Sequence, residues 1–177
     1  MIATRLPAGL FILALAACGS PDVDPATQAA ETVAATPAST VAPAAMVMAN
    51  GDLPAVVVYK TASCGCCNGW VEHLKEAGFT VDARDVRDLM SVKRDAGVPV
   101  SNSSCHTAMV DGYVVEGHVP ADVVKKMLAE RPDIAGIAVP GMPVGSPGME
   151  GPGAKPYDVL TFDREGNNAV FATVDPR

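Results

Sequence analysis

The chain has 177 residues and a formal net charge of −7, from 13 Lys+Arg against 20 Asp+Glu. Hydrophobic residues make up 49%, enough for a packed core and against global disorder, and the length allows one ordinary domain plus a targeting or linker segment. No Lys/Arg run occurs, which argues against a nucleic-acid partner, and no apolar stretch reaches the ~20 residues of a membrane-spanning helix.

In chain order, Leu6 to Ala17 is a mostly apolar run preceded by Arg5, which fits the core of a secretory signal. It ends in Leu15-Ala16-Ala17-Cys18, which resembles the lipobox of bacterial lipoproteins, where the Cys is acylated and becomes the mature N-terminus. The expected organisation is therefore a lipoprotein-type signal peptide over 1–17, then an acylated Cys18 and disordered Ala/Pro/Thr-rich tether over 18–52, then a globular domain over 53–177. In residues 20–50, 20 of 31 are Ala, Pro, Thr or Ser. Such a segment buries too little apolar surface to offset its chain entropy.

The globular part opens with Ala55–Lys60, a Val-rich buried-strand pattern. Asn68–Ala77 reads as a helix with Trp70, Val71, Leu74 and Ala77 on one face and Gly78 as its stop. Phe79–Val86 is a second strand, and Asp88 caps a second helix that ends at Gly97. His106–Val110 and Tyr113–Glu116 flank Asp111-Gly112, a hairpin signal. Pro120 opens a third helix at its first position and Arg131-Pro132 closes it. The order β-α-β-α-β-β-α predicts an α/β sheet with a parallel βαβ half and a hairpin half. Ten of the 17 residues over 140–156 are Gly or Pro, which predicts an irregular loop. Tyr157–Asp163 and Ala169–Val174 form a C-terminal hairpin across Gly166-Asn167.

Beyond Cys18, four cysteines remain: Cys64, Cys66, Cys67 and Cys105. The first three lie between a strand and a helix, where unpaired N–H groups and the helix dipole favour anions such as thiolate. Gly65 lets the chain turn so that neighbouring sulfurs converge. Cys64 and Cys67 have the spacing of a redox CxxC, and Cys66 adds a third soft donor. Crowded thiolates suit Cu(I), Zn(II) or an iron–sulfur cluster, and an exported apoprotein disfavours the cluster. Cys105 begins the third strand, which this topology sets beside the first helix N-terminus, so a shared four-sulfur site is expected. A structural disulfide is the bland alternative. Clustering at a helix N-terminus favours metal or redox chemistry over it.

Taken in order, Cys64-Gly65-Cys66-Cys67, Trp70, Ser104-Cys105-His106-Thr107-Ala108, Glu116-Gly117-His118-Val119-Pro120 and the Gly/Pro/Met segment from Pro140 to Glu150 resemble the CopG-type periplasmic copper-resistance proteins. The resemblance runs over nearly the whole globular part. It implies a thioredoxin-like fold, copper bound at the CxCC site with the Cys of Ser-Cys-His, and a role in copper redox handling. Two features depart from ordinary thioredoxins: the extra Cys66, and Cys105-His106 where thioredoxins place a cis-Pro.

Among the histidines, His118 is the leading extra ligand or proton-handling group, because the turn that carries it passes near the active-site loop in such a fold. Strand alternation turns the His106 ring away from a site that Cys105 faces, unless the strand start relaxes it. His73, one turn after Trp70, reads as a solvent-facing or flanking side chain. Met142 and Met149 offer soft thioethers, but without a Met-x-x-Met cluster they read as apolar plugs pinning the loop. Trp70 reads as core packing that shields a cuprous site from water. The leading expectation is a periplasm-facing, membrane-anchored lipoprotein that holds Cu(I) on four thiolates and takes part in copper redox handling, with copper ions, the membrane and other copper-handling proteins as partners. The alternatives are a thiol–disulfide oxidoreductase using Cys64 and Cys67, and a passive metal chaperone.

Overall fold

A Val-rich strand followed by a helix with a single apolar face folds into a layered βαβ unit. In the computed structural model, which describes residues 53–177, β1 spans Val56–Lys60, α1 Gly65–Glu76 and β2 Val81–Asp85. β1 and β2 pair in parallel. The expected signal peptide, Cys18 and the tether lie outside the described residues. The chain continues through α2 (Leu89–Asp95), a 3-10 turn (Val100–Asn102), β3 (His106–Val110), β4 (Tyr113–Glu116) and α3 (Ala121–Glu130). It ends in β5 (Gly136–Ala138), β6 (Tyr157–Phe162) and β7 (Asn168–Val174). The seven strands form one mixed sheet in the order β2-β1-β3-β4-β5-β6-β7.

The local signals act as expected in most places. Asp88 accepts a hydrogen bond from Ser91 N at 3.0 Å and starts α2. Asp111 and Gly112 both have positive φ, as a two-residue hairpin between β3 and β4 requires. Pro120 is the N-cap of α3 rather than its first helical residue, and Arg131 ends the helix in the left-handed conformation. Two boundaries differ from expectation. α1 starts at Gly65, three residues before Asn68, so Cys64 becomes its N-cap and Cys66 and Cys67 lie in its first turn. β5 carries no sequence signal of its own, being three residues long, yet it is wholly buried and pairs with both β4 and β6.

Alternation divides the core between the two faces of the sheet. Val56, Val58, Ala108, Val110, Val115, Ile137 and Val159 pack with Trp70, Val71 and Leu74 of α1 and with Val123, Val124, Met127 and Leu128 of α3. Val114, Ala138 and Phe162 face the other way, with Val98, which follows α2. β3 therefore presents Ala108 and Val110 to one layer and Thr107 and Met109 to the other. This sheet has the mixed α/β topology of a thioredoxin-like fold, extended by β5 and the C-terminal hairpin.

Candidate metal centre

The site forms where the N-terminus of α1 meets the start of β3. Cys64, Cys66, Cys67 and Cys105 bring their sulfurs within 4.8 Å of one another. Cys64 and Cys67 are joined by a disulfide with Cα atoms 5.3 Å apart, and Cys66 and Cys105 are free. Cys66 Sγ lies 3.5 Å from Cys64 Sγ and 3.8 Å from Cys105 Sγ. Cys105 Sγ is 3.5 Å from Cys67 Sγ. Cys67 is fully buried, whereas the other three are partly exposed. Cys105 thus joins the other three sulfurs across about 40 residues of chain, as its place at the start of the third strand predicts.

A second donor set overlaps the first at Cys105, where Cys105, His106 and His118 also bring one ligand atom each within 4.8 Å. His118 Nε2 is 2.9 Å from Cys105 Sγ, and its Nδ1 is 2.8 Å from the Pro147 carbonyl. A carbonyl only accepts, so Nδ1 carries the proton and Nε2 points a lone pair at the sulfur. Burial holds the His118 pKa below the ordinary histidine value, which keeps the imidazole neutral and able to ligate. Burial, with Cys66 alongside, pushes the Cys105 thiol up to about 12. A thiol held up in this way gives up its proton readily in exchange for a soft metal ion.

For His106 the strand start does relax the alternation. Its ring does not turn away from the site: Nδ1 lies 3.4 Å from Cys105 Sγ. The ring packs 4.3 Å from the Trp70 ring and edge-on to His118 at 4.9 Å. Cys105 precedes β3, so strand alternation does not bind it, and His106 joins Ala108 and Val110 on the α1 side. Burial, then His118 and Lys93, hold its pKa well below the ordinary value, and its Nε2 has no hydrogen-bond partner. Trp70 is core as expected, with Nε1 donating to the Val119 carbonyl at 2.8 Å. Of the two readings of His73, the flanking one fits. It is partly buried, and its Nε2 accepts a hydrogen bond from Ala121 N at the start of α3. Met142 is 51% exposed, which corrects its reading as an apolar plug, while Met149 is half-buried.

Sequence reasoning missed the parts that hold the cysteines in place. Glu116 is fully buried and accepts from Lys93 Nζ at 2.5 Å, Ser104 N at 2.6 Å and the Thr107 hydroxyl at 2.7 Å. It fastens the chain on both sides of Cys105 and His106. The Gly/Pro loop is also structural. A Cβ on Gly148 would lie 2.5 Å from Cys66 O and 2.8 Å from Trp70 N, so the loop backbone lies directly on α1. That approach brings the Pro147 carbonyl to His118. Glu116 had one signal, its place beside His118 in the Glu-Gly-His-Val-Pro motif, but a charged residue inside a strand pattern does not reveal its partners.

Comparison with known proteins decides the family. A family model described as a protein of unknown function, DUF411, matches residues 102–149. No curated protein matches the chain. Two solved structures, described as copper resistance protein CopG in forms 1 and 2, are each 47% identical to it. Each match covers 69% of this chain and 98% of the other, with a TM-score of 0.65. The chain belongs to the CopG-type copper-resistance family. As a member it carries a thioredoxin-like sheet and a cysteine/histidine cluster suited to holding a metal ion.

Proposed function

We propose that this protein binds copper as Cu(I) on Cys64, Cys66, Cys67 and Cys105, with His118 as an additional ligand and His106 enclosing the site. The observation that carries the reading is the convergence of four sulfurs, with a neutral imidazole lone pair aimed at one of them, Cys105. Cu(I) favours soft thiolate donors, and nothing in this donor set supplies the hard oxygens that Mg(II) or Ca(II) require. Similarity to the two copper-resistance structures supports copper as the ion. All four sulfurs become available only when the Cys64–Cys67 disulfide is reduced. The same bond gives the site a redox use. Two Cu(II) ions take one electron each as the Cys64 and Cys67 thiolates join, leaving two Cu(I) and a disulfide. Met142 and Met149 lie outside this ligand set in the proposal.

Family membership supports a periplasmic location, and we infer a lipid anchor at Cys18 with the segment 18–52 as tether. Exchange of Cys18 for Ala is expected to release the protein from membranes into the soluble fraction on cell fractionation, with its copper binding unchanged. Membrane association that survives the substitution would rule the anchor out.

One observation favours a second reading. The Cys64–Cys67 pair is already a disulfide with a partly exposed first cysteine and a buried second one, the arrangement of a thiol–disulfide oxidoreductase. Cys66→Ser separates the two. A copper site loses a thiolate, so Cu(I) affinity measured by chelator competition should fall at least about tenfold, about 1.4 kcal/mol. An oxidoreductase keeps its redox pair and its exchange activity. Unchanged copper affinity would favour the second reading.

A further inference from the structure

One helix carries three of the sulfurs and also grips the chain that carries His118. Cys64, Cys66 and Cys67 lie at the N-cap and in the first turn of α1. Further along the same helix, Trp70 Nε1 donates to the Val119 carbonyl at 2.8 Å, and His73 Nε2 accepts from Ala121 N at 3.0 Å. These two contacts bracket Pro120 and hold the backbone just beyond His118. The start of α3 depends on the second of them. The first N–H groups of a helix have no partner within it, and a Ser, Thr, Asp or Asn side chain at the N-cap ordinarily supplies one. Here the N-cap is Pro120, which makes no side-chain cap, and an imidazole 48 residues away in the chain provides the acceptor. Between the end of β4 at Glu116 and the start of α3 at Ala121 the chain makes a turn, in which Gly117 has φ near 72° and Val119 N bonds Gly117 O. Such a turn takes its position from what it is tied to, and on the α1 side it is tied by Trp70 and His73.

We propose that His73 is a positioning residue for His118, fixing through the start of α3 the distance between that imidazole and the sulfurs. The placement of His118 has two parts. The Pro147 carbonyl, 2.8 Å from Nδ1, sets which way the ring turns. The α1 contacts set where its backbone stands, because the helix that holds Val119 and Ala121 is the one whose first turn holds Cys66 and Cys67. Sulfurs and imidazole are thereby referred to one rigid element. Without the His73 acceptor, Ala121 N loses its partner and the turn relaxes away from α1. His118 Nε2 then stands farther from Cys105 Sγ than its present 2.9 Å. Residues that orient a metal ligand without touching the metal typically carry about ten- to a hundredfold in affinity. Trp70 also fills the core and packs on the His106 ring, so the partly buried His73 is the cleaner probe of the grip. This role deepens the copper reading and rests on it, with His118 a ligand to the ion.

The test uses the reduced full chain. His73→Gln keeps an acceptor, since the Gln side-chain oxygen reaches about as far as Nε2. His73→Leu removes the acceptor. His73→Asn is too short to reach Ala121 N yet stays polar, which covers poor folding of the Leu variant. Phe162→Leu truncates the core in the other layer of the sheet and reports the effect of lost stability alone. Cu(I) affinity is measured by chelator competition, and amide hydrogen exchange over residues 117–124 is measured in the metal-free protein. The Leu and Asn variants should bind Cu(I) about tenfold more weakly than wild type and exchange faster over 117–124. The Gln variant should match wild type in both, and Phe162→Leu should leave the copper affinity of the folded protein unchanged. Equal affinity in wild type and the Leu and Asn variants would overturn the proposal. So would a Gln variant as weak as the Leu one, or an equal loss in Phe162→Leu. A wild-type chain that binds no Cu(I) would overturn the copper reading instead, and the exchange rates, read without metal, would still decide whether His73 holds the turn.

Discussion

Glu116 carries more of the site than its chemistry suggests, because one buried carboxylate holds Lys93, Thr107 and the backbone before Cys105. Removing one partner of a buried pair leaves the other charge uncompensated. Glu116→Gln is therefore expected to destabilise the domain by about 3 kcal/mol in urea unfolding, with Lys93 left unpaired. A change below about 1 kcal/mol would show that the pair does not hold the strand start. The two site histidines make a second prediction at this scale. Burial lowers both pKa values in the folded protein relative to the unfolded value of about 6.5. The unfolded chain then binds more protons as pH falls below about 6.5, so stability is complete above that pH and declines beneath it. The urea midpoint of the metal-free protein should drop between about pH 7.5 and pH 5.5. An unchanged midpoint would contradict neutral, buried imidazoles.

Among the elements, the Gly/Pro loop is the one whose role the sequence conceals. Gly148 and Gly153 both have positive φ, near 82° and 83°. A Cβ at Gly153 meets nothing within 4 Å, whereas one at Gly148 collides with the backbone of α1. Gly153→Ala should cost only the left-handed strain of about 1–2 kcal/mol. Gly148→Ala should cost clearly more and should lift Pro147 from His118, weakening Cu(I) binding as well. Equal costs in urea unfolding, with copper affinity unaffected, would show that the loop does not support the site. The β-α-β-α-β-β-α order was legible because each segment has a local signal: Val runs, the Asp88 cap, the Asp111-Gly112 turn. The start of α1 was not, because Cys and Gly give no helix signal and the turn forms by packing. β5 was hidden for a related reason. Gly136 sits where a Cβ would meet Val114 O at 2.2 Å, so the strand is specified by its neighbours rather than by its own residues.

For the molecule as a whole, the cluster of four sulfurs was readable because topology alone carries the start of β3 to the N-terminus of α1. The orientation of His106 and the capping role of His73 were not readable, since each depends on a contact between elements far apart in the chain. With the Cys64–Cys67 bridge closed the site has two free thiols, and reduction gives it four. The most direct measurement is an anaerobic titration of the reduced full chain with Cu(I) and Zn(II) against strong chelators, followed by metal analysis and counting of alkylatable thiols. The account predicts that copper is retained when zinc is stripped, with Cys64, Cys66, Cys67 and Cys105 all protected. Retention of zinc with loss of copper, or a Cys105 that stays reactive in the copper-loaded protein, would contradict it.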